Sequence, residues 1–119
     1  MKQFFLTISA FFIIGISHAQ TSIKLDEISK HIGDSVTVCG IVADMRYFER
    51  SRNKPTFLNI GDTYPKQQLT VVIWENVRLL FSSKIDDLKD KQICITGRII
   101  MYKDKPEIVI DSPSQIVVQ

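Results

Sequence analysis

The residues best suited to chemistry lie between Arg46 and Phe57, in the stretch RYFERSRNKPTF. Arg46, Arg50, Arg52 and Lys54 supply cations there, and the downstream stretch YKDKP adds Lys103 and Lys105. Cations of this kind neutralise phosphate, and a nucleic-acid backbone is the polyanion that rewards several of them along one groove. Phe57 belongs to the alternation TFLNI, in which Leu58 and Ile60 share one side of a strand and Phe57 and Asn59 the other. With Leu58 and Ile60 in a core, Phe57 lies on the outer face, where a flat ring stacks on a base for roughly 1–3 kcal/mol. Tyr47, Phe48, Tyr64 and Tyr102 are further stacking candidates. Two plainer readings stand beside this one. The arginine loop can be a solvated hairpin tip diluted by Glu49. A register shift of one residue would turn Phe57 into the core, because it exchanges the two faces of a strand.

Catalysis has little support in the residue types. His18 and His31 are the only histidines, no Cys/His cluster has metal-ligand spacing, and no nucleophile motif is present. No catalytic residue, metal or cofactor is therefore expected. Asp44, Asp62 and Asp104 are scattered along the chain, whereas cation-assisted phosphodiester hydrolysis needs clustered carboxylates. Cys39 and Cys94 sit in the strand-like runs TVCGIV and QICITG. An even count permits one disulfide in an oxidising compartment, and two buried free thiols are the other reading.

The ends and the overall charge limit the setting. After a basic start at Lys2, Phe4 to Ile16 is almost unbroken apolar sequence, and Ser17 and Ala19 place small residues ahead of Gln20. That is the layout of a cleavable secretory signal over residues 1–19, cut near Ala19. The run is short of the roughly 20 residues that span a bilayer, so no stable membrane insertion is expected after cleavage. A periplasmic or secreted domain over residues 20–119 follows. The 119-residue chain carries 15 Lys and Arg against 13 Asp and Glu, so no whole-molecule field draws it to nucleic acid. Any such binding must come from local clustering.

The elements that would position these side chains can be read from periodicity. Leu25, Ile28 and Ile32 predict a short helix closed by Gly33. Ser35 to Phe48 predicts a long strand bent or bulged at Gly40. Thr56 to Gly61 and Leu69 to Trp74 predict two more strands, the latter rich in β-branched residues. Helical spacing of Val77, Leu80, Phe81, Ile85 and Leu88 predicts a helix, or two short turns, from about Asn76 to Asp87, with Ser83 as a cap and Trp74 packed beneath. A fourth strand runs from Lys89 to Tyr102 through Gly97. A fifth, EIVID, follows the tight turn KDKP and can be extended by QIVV. Five antiparallel strands with a helix between the third and fourth is the plan of the oligonucleotide/oligosaccharide-binding (OB) fold, an all-β Greek-key barrel.

The segments VTVCGIV, TFLNIGD, LTVVI and ITGRI, together with Arg46, also resemble the OB-fold nucleic-acid-binding family that includes the anticodon-binding domains of class II aminoacyl-tRNA synthetases. The resemblance runs from about Val36 to Ile116, and the whole chain is similar to small exported bacterial proteins built of one such domain. It implies a ligand grip by Arg46 at the end of the first strand and by Phe57 stacking on a base. It also implies a polar side chain early in the third strand; Thr70 takes that place, near Gln68, where glutamine is usual. On an OB barrel the first basic loop and the Lys103–Lys105 loop would flank one face. The expected function is weak, low-specificity binding of single-stranded DNA or RNA by a monomer. The alternative is a non-enzymatic module of envelope-stress type whose partner is a protein, oligosaccharide or small ligand.

Overall fold

The computed structural model describes residues 21–119, so the signal reading of residues 1–19 lies outside the described residues. Strand β1 (Thr21–Ile23) leads through a 3-10 helix (Leu25–Lys30) into the long β2 (Ser35–Tyr47). β3 (Thr56–Ile60) and β4 (Leu69–Ile73) follow, then helix α1 (Glu75–Arg78) and a second 3-10 helix (Ile85–Leu88). β5 (Gln92–Arg98), β6 (Ile100–Tyr102), β7 (Lys105–Val109), a 3-10 turn (Pro113–Gln115) and β8 (Ile116–Val118) complete the chain.

The sheet order is β6-β7-β4-β3-β2-β5-β8, with β1 added in parallel to β2. β2, β3 and β4 form an antiparallel meander, and β7 joins β4 in parallel. β5 returns to pair with the first half of β2. This is the OB arrangement. The five expected strands are β2, β3, β4, β5 and β7, and the barrel gains three short strands beyond them. The interior is aliphatic: Val36, Val38, Val42, Leu58, Ile60, Val71, Ile73, Ile93, Ile95 and Ile108 are all closed to solvent. Alternation places them there, because every second residue of each half-covered strand must leave water.

Several local expectations are corrected. The ladder between β2 and β3 slips between Val42 and Asp44, so the irregularity falls at Ala43 and not at Gly40. Gly40 is needed for close approach instead: a Cβ there would stand 2.6 Å from the Ile60 side chain and 2.7 Å from Leu25. The region from Asn76 to Asp87 holds only α1 and the later 3-10 helix, with Leu80 exposed between them. Ser82 and Ser83 separate the two, and such residues compete with helical hydrogen bonds through their own hydroxyls. Ser83 caps nothing: the second turn starts at Lys84 without a side-chain cap. The fourth strand breaks at Ile99 into β5 and β6. QIVV does not extend the fifth strand. Ser112 begins a capping box with Gln115 and has Pro113 at its first position, which reverses the chain and sends β8 back onto β5.

Candidate nucleic-acid interface

β2, β3, β4 and β7 present one outer face whose side chains fall into two rows across the strands. Register pairs Arg46 with Phe57, Phe57 with Val72, and Val72 with Val109. One row therefore runs cation, ring, and two aliphatic residues. Val72 is only 3% exposed, yet it lies outside the interior cluster, so it is covered from the outer side. The neighbouring row runs Asp44, Asn59, Thr70 and Glu107. Leu58 and Ile60 point inward with no exposure, so Phe57 faces outward.

Around Phe57 the side chains are arranged for stacking. Phe48 packs against it with ring centroids 4.9 Å apart at 60°. The Arg46 guanidinium lies 4.9 Å above the Phe48 ring. A guanidinium over an aromatic face is held by the ring quadrupole and keeps its donors free for phosphate. Asp44, Met45, Arg46, Phe48, Phe57, Asn59 and Tyr64 together line an open pocket of about 400 Å³.

The polar row is tied together by directed hydrogen bonds. Asn59 Nδ2 donates to Asp44 Oδ1, and the Tyr64 backbone N–H donates to Asp44 Oδ2 at 3.2 Å. Gln67 Nε2 donates to Thr70 Oγ1 at 3.1 Å, and the Thr70 hydroxyl points to Asn59 Oδ1 at 3.5 Å. Thr70 is thus on the face but almost buried and engaged, and its glutamine neighbour there is Gln67. Gln68 turns instead toward Gly61 and the pocket beside Leu25. Gln67 Oε1 is buried without a partner. At the end of the row, burial raises the Glu107 carboxyl above its usual range.

The basic loops sit at opposite corners of this face. Lys105 Nζ donates to the Pro65 carbonyl and lies 5.7 Å over the Tyr64 ring, at the corner where β3 turns into β4. Lys103 and Asp104 form the turn of the β6–β7 hairpin with positive φ values of 48° and 64°. Strand spacings of about 4.8 Å and rises of about 3.3 Å put the Arg46 and Lys105 backbones roughly 20 Å apart. Arg50 and Arg52 are exposed in the loop beyond Arg46. Lys54 is drawn away from the face: it lines a separate pocket of about 700 Å³ with Ser51, Asn53, Trp74, Glu75, Asn76 and Leu79. The expected continuous positive groove is therefore two positive corners with Asp44 and Glu107 between them. Trp74 is not sealed beneath a helix; it stands 38% exposed at the start of α1.

Two other groups are structural. Arg78 lies 3.7 Å over Tyr47 and donates to Thr56 Oγ1, while Tyr47 donates to Glu75, so Tyr47 belongs to the α1 end of the barrel and is not on the binding face. Cys39 and Cys94 stand directly opposite each other in the β2–β5 ladder and are joined as a disulfide on its outer side. Among the described residues, no three His, Cys, Asp or Glu side chains are grouped to hold a metal ion.

Comparison with known proteins fits this geometry. Residues 36–114 match the tRNA anti-codon family, described as an OB-fold nucleic acid binding domain. The chain belongs to that family. No curated protein sequence matches it. Among solved structures, a putative aspartyl-tRNA synthetase from Leishmania major superposes with a TM-score of 0.54 at 10% identity over 88% of this chain. Yeast Stn1 and Ten1 give a TM-score of 0.61 at 14% identity over 87%. An OBody bound to hen egg-white lysozyme gives 0.52 at 18% identity over 86% of this chain and 96% of its own. The likeness is one of fold: this chain spans 22% of the synthetase and 64% of the Stn1–Ten1 chain. Tyr64 and Phe48, both stacking candidates by type, line the pocket, whereas sequence reasoning missed Asp44 and Gln67 as members of the face. Asp44 was legible, because it has the same parity as Arg46 two residues on. Gln67 was not, because nothing local says which of two adjacent glutamines turns toward Thr70.

Proposed function

We propose that this family member is an exported, non-enzymatic domain that binds a short single strand of DNA or RNA across β3 and β4. The observation that carries this reading is the outward cluster of Arg46, Phe48 and Phe57, in which two rings and a guanidinium share one open pocket. The rings would stack on bases while Arg46, Arg50, Arg52, Lys103 and Lys105 meet phosphates at the two corners. Weak affinity is expected, because Asp44 and Glu107 oppose phosphate between those corners. Export is supported by the leader-like sequence of residues 1–19 and by the Cys39–Cys94 pairing, which suits an oxidising compartment.

Titrating labelled single-stranded oligomers into residues 20–119 over a salt series tests this. Binding should weaken with a log–log slope of about −0.7 for each phosphate neutralised. Absence of binding to DNA and RNA at low salt would overturn the reading. A second reading, docking of a protein or other partner, is favoured by one observation. Trp74 and the 74% exposed Leu79 line the pocket beside α1, away from the cation-bearing face.

A further inference from the structure

We infer that the pocket between Phe57 and Tyr64 is a slot for a single guanine, read by the Asp44 carboxylate. The inference rests on the nucleic-acid reading above and sharpens it, because it replaces indifferent stacking with selection of one base.

The slot is built from two directions. Along the strands, the Asp44–Asn59 row lies between the Arg46–Phe57 row on one side and the β3–β4 turn carrying Tyr64 on the other. Rows on one face of a strand repeat every two residues, about 6.6 Å, which leaves room for a flat ring above the polar row. Phe57, backed by Phe48, is one wall. Tyr64 is the other; it is 65% exposed, yet its position is fixed by its own N–H on Asp44 and by Lys105 over its ring.

The floor is made of acceptors. Asp44 takes one hydrogen bond on each oxygen, from Asn59 and from Tyr64. An ionised carboxylate has about four lone-pair sites, so two acceptors remain, one per oxygen. Asn59 commits one of its two amide hydrogens to Asp44 and is only 5% exposed, so the Asp44 oxygens are the groups most open to a ligand. A base entering here must present adjacent donors to be held at both oxygens. Guanine does so with N1–H and the N2 amino group. Adenine and cytosine offer one amino group next to an acceptor nitrogen, and thymine or uracil one N–H between two carbonyls. Unpaired acceptors facing the carboxylate would repel, which makes the discrimination two-sided.

The test is a comparison of oligothymidylates carrying one central dG, deoxyinosine, dA or dC, against the all-dT strand, by anisotropy at fixed low salt. Inosine keeps N1–H and loses only the N2 amino group. The expected order puts dG first, with inosine weaker by roughly tenfold, as when a bidentate pair is reduced to a single hydrogen bond. Asp44→Asn should bring dG and inosine to within about twofold of each other. Equal binding of all strands, or a preference for dA or dC, would overturn the guanine slot and leave the nucleic-acid reading standing. No binding by any strand would overturn both. The dG–inosine ratio in the unaltered protein decides the matter even where Asp44→Asn fails to fold.

Discussion

The two halves of β2 do different work. From Ser35 to Ile41 the strand is paired with β5, and its outer side carries a Thr37–Thr96 hydroxyl pair at 2.7 Å followed by the Cys39–Cys94 disulfide. From Asp44 to Arg46 it is paired with β3, and its outer side carries a carboxylate and a guanidinium beside an aromatic pocket. The slip at Ala43 is the boundary. One strand thus supplies a cross-linked frame and, a few residues on, the groups available to a ligand. The difference shows how a domain of about 100 residues, with a small core, can hold charged and polar side chains ready on its surface.

Cutting the frame should cost most. The bridge closes a loop of 55 residues, and losing a native disulfide from a small domain costs about 2–5 kcal/mol. Cys39→Ser with Cys94→Ser should therefore lower the denaturant midpoint sharply, while the protein that stays folded keeps its oligonucleotide affinity. A fall in affinity at unchanged folded fraction would erase the distinction between the halves.

Breaking the ligand side should do the reverse. Phe57→Ala removes a ring on the outer face, so single-strand affinity should fall by roughly 1–3 kcal/mol, up to about a hundredfold. The melting temperature should move less than it does for the cysteine pair. A large loss of stability with unchanged affinity would place Phe57 with the frame. Smaller still is the effect of the remote corner. Replacing Lys103 and Lys105 by Ala should reduce the salt slope by about 0.7 for each phosphate that is no longer neutralised, without changing which base is preferred.

The same division explains what the sequence disclosed. The frame was legible because burial writes itself as alternation: Val36, Val38, Leu58, Ile60, Ile93 and Ile95 announce their strands. Gly40 and Gly97 were recognisable as special, but only the packed neighbours Ile60 and Ile108 show that close approach is the reason. β8 was misread although its signal was present, since Ser112-Pro113-Ser114-Gln115 is a capping box with Pro at the first helical position. On the ligand side Arg46 and Phe57 were legible from type and parity. The acidic row as a whole was not: parity puts Asp44 on the face with Arg46, but Glu107 is far off in the chain and joins it only through the β2–β3 and β3–β4 ladders and the parallel β4–β7 pairing.

That row yields the smallest effect and the one most specific to the binding half. Glu107 sits beside Thr70 in the register, and burial raises its carboxyl pKa in the folded protein. An unfolded glutamate titrates near about 4.3. Below that value both states are protonated and the site costs nothing. As pH rises through the unfolded value, the unfolded chain releases its proton first, so the native state loses stability until the folded value is passed. Glu107→Gln cannot ionise and escapes this loss. Its stability should match that of the unaltered protein at about pH 3, exceed it increasingly from about pH 4.3, and hold a constant margin once pH has passed the raised folded value. Oligonucleotide affinity at neutral pH should also rise slightly, because one of the two carboxylates between the positive corners is gone. Urea midpoints measured every half pH unit follow the first effect, and a variant that falls below the unaltered protein as pH rises past about 4.3 would show that Glu107 is stabilised as the anion and that the row is built to be negative.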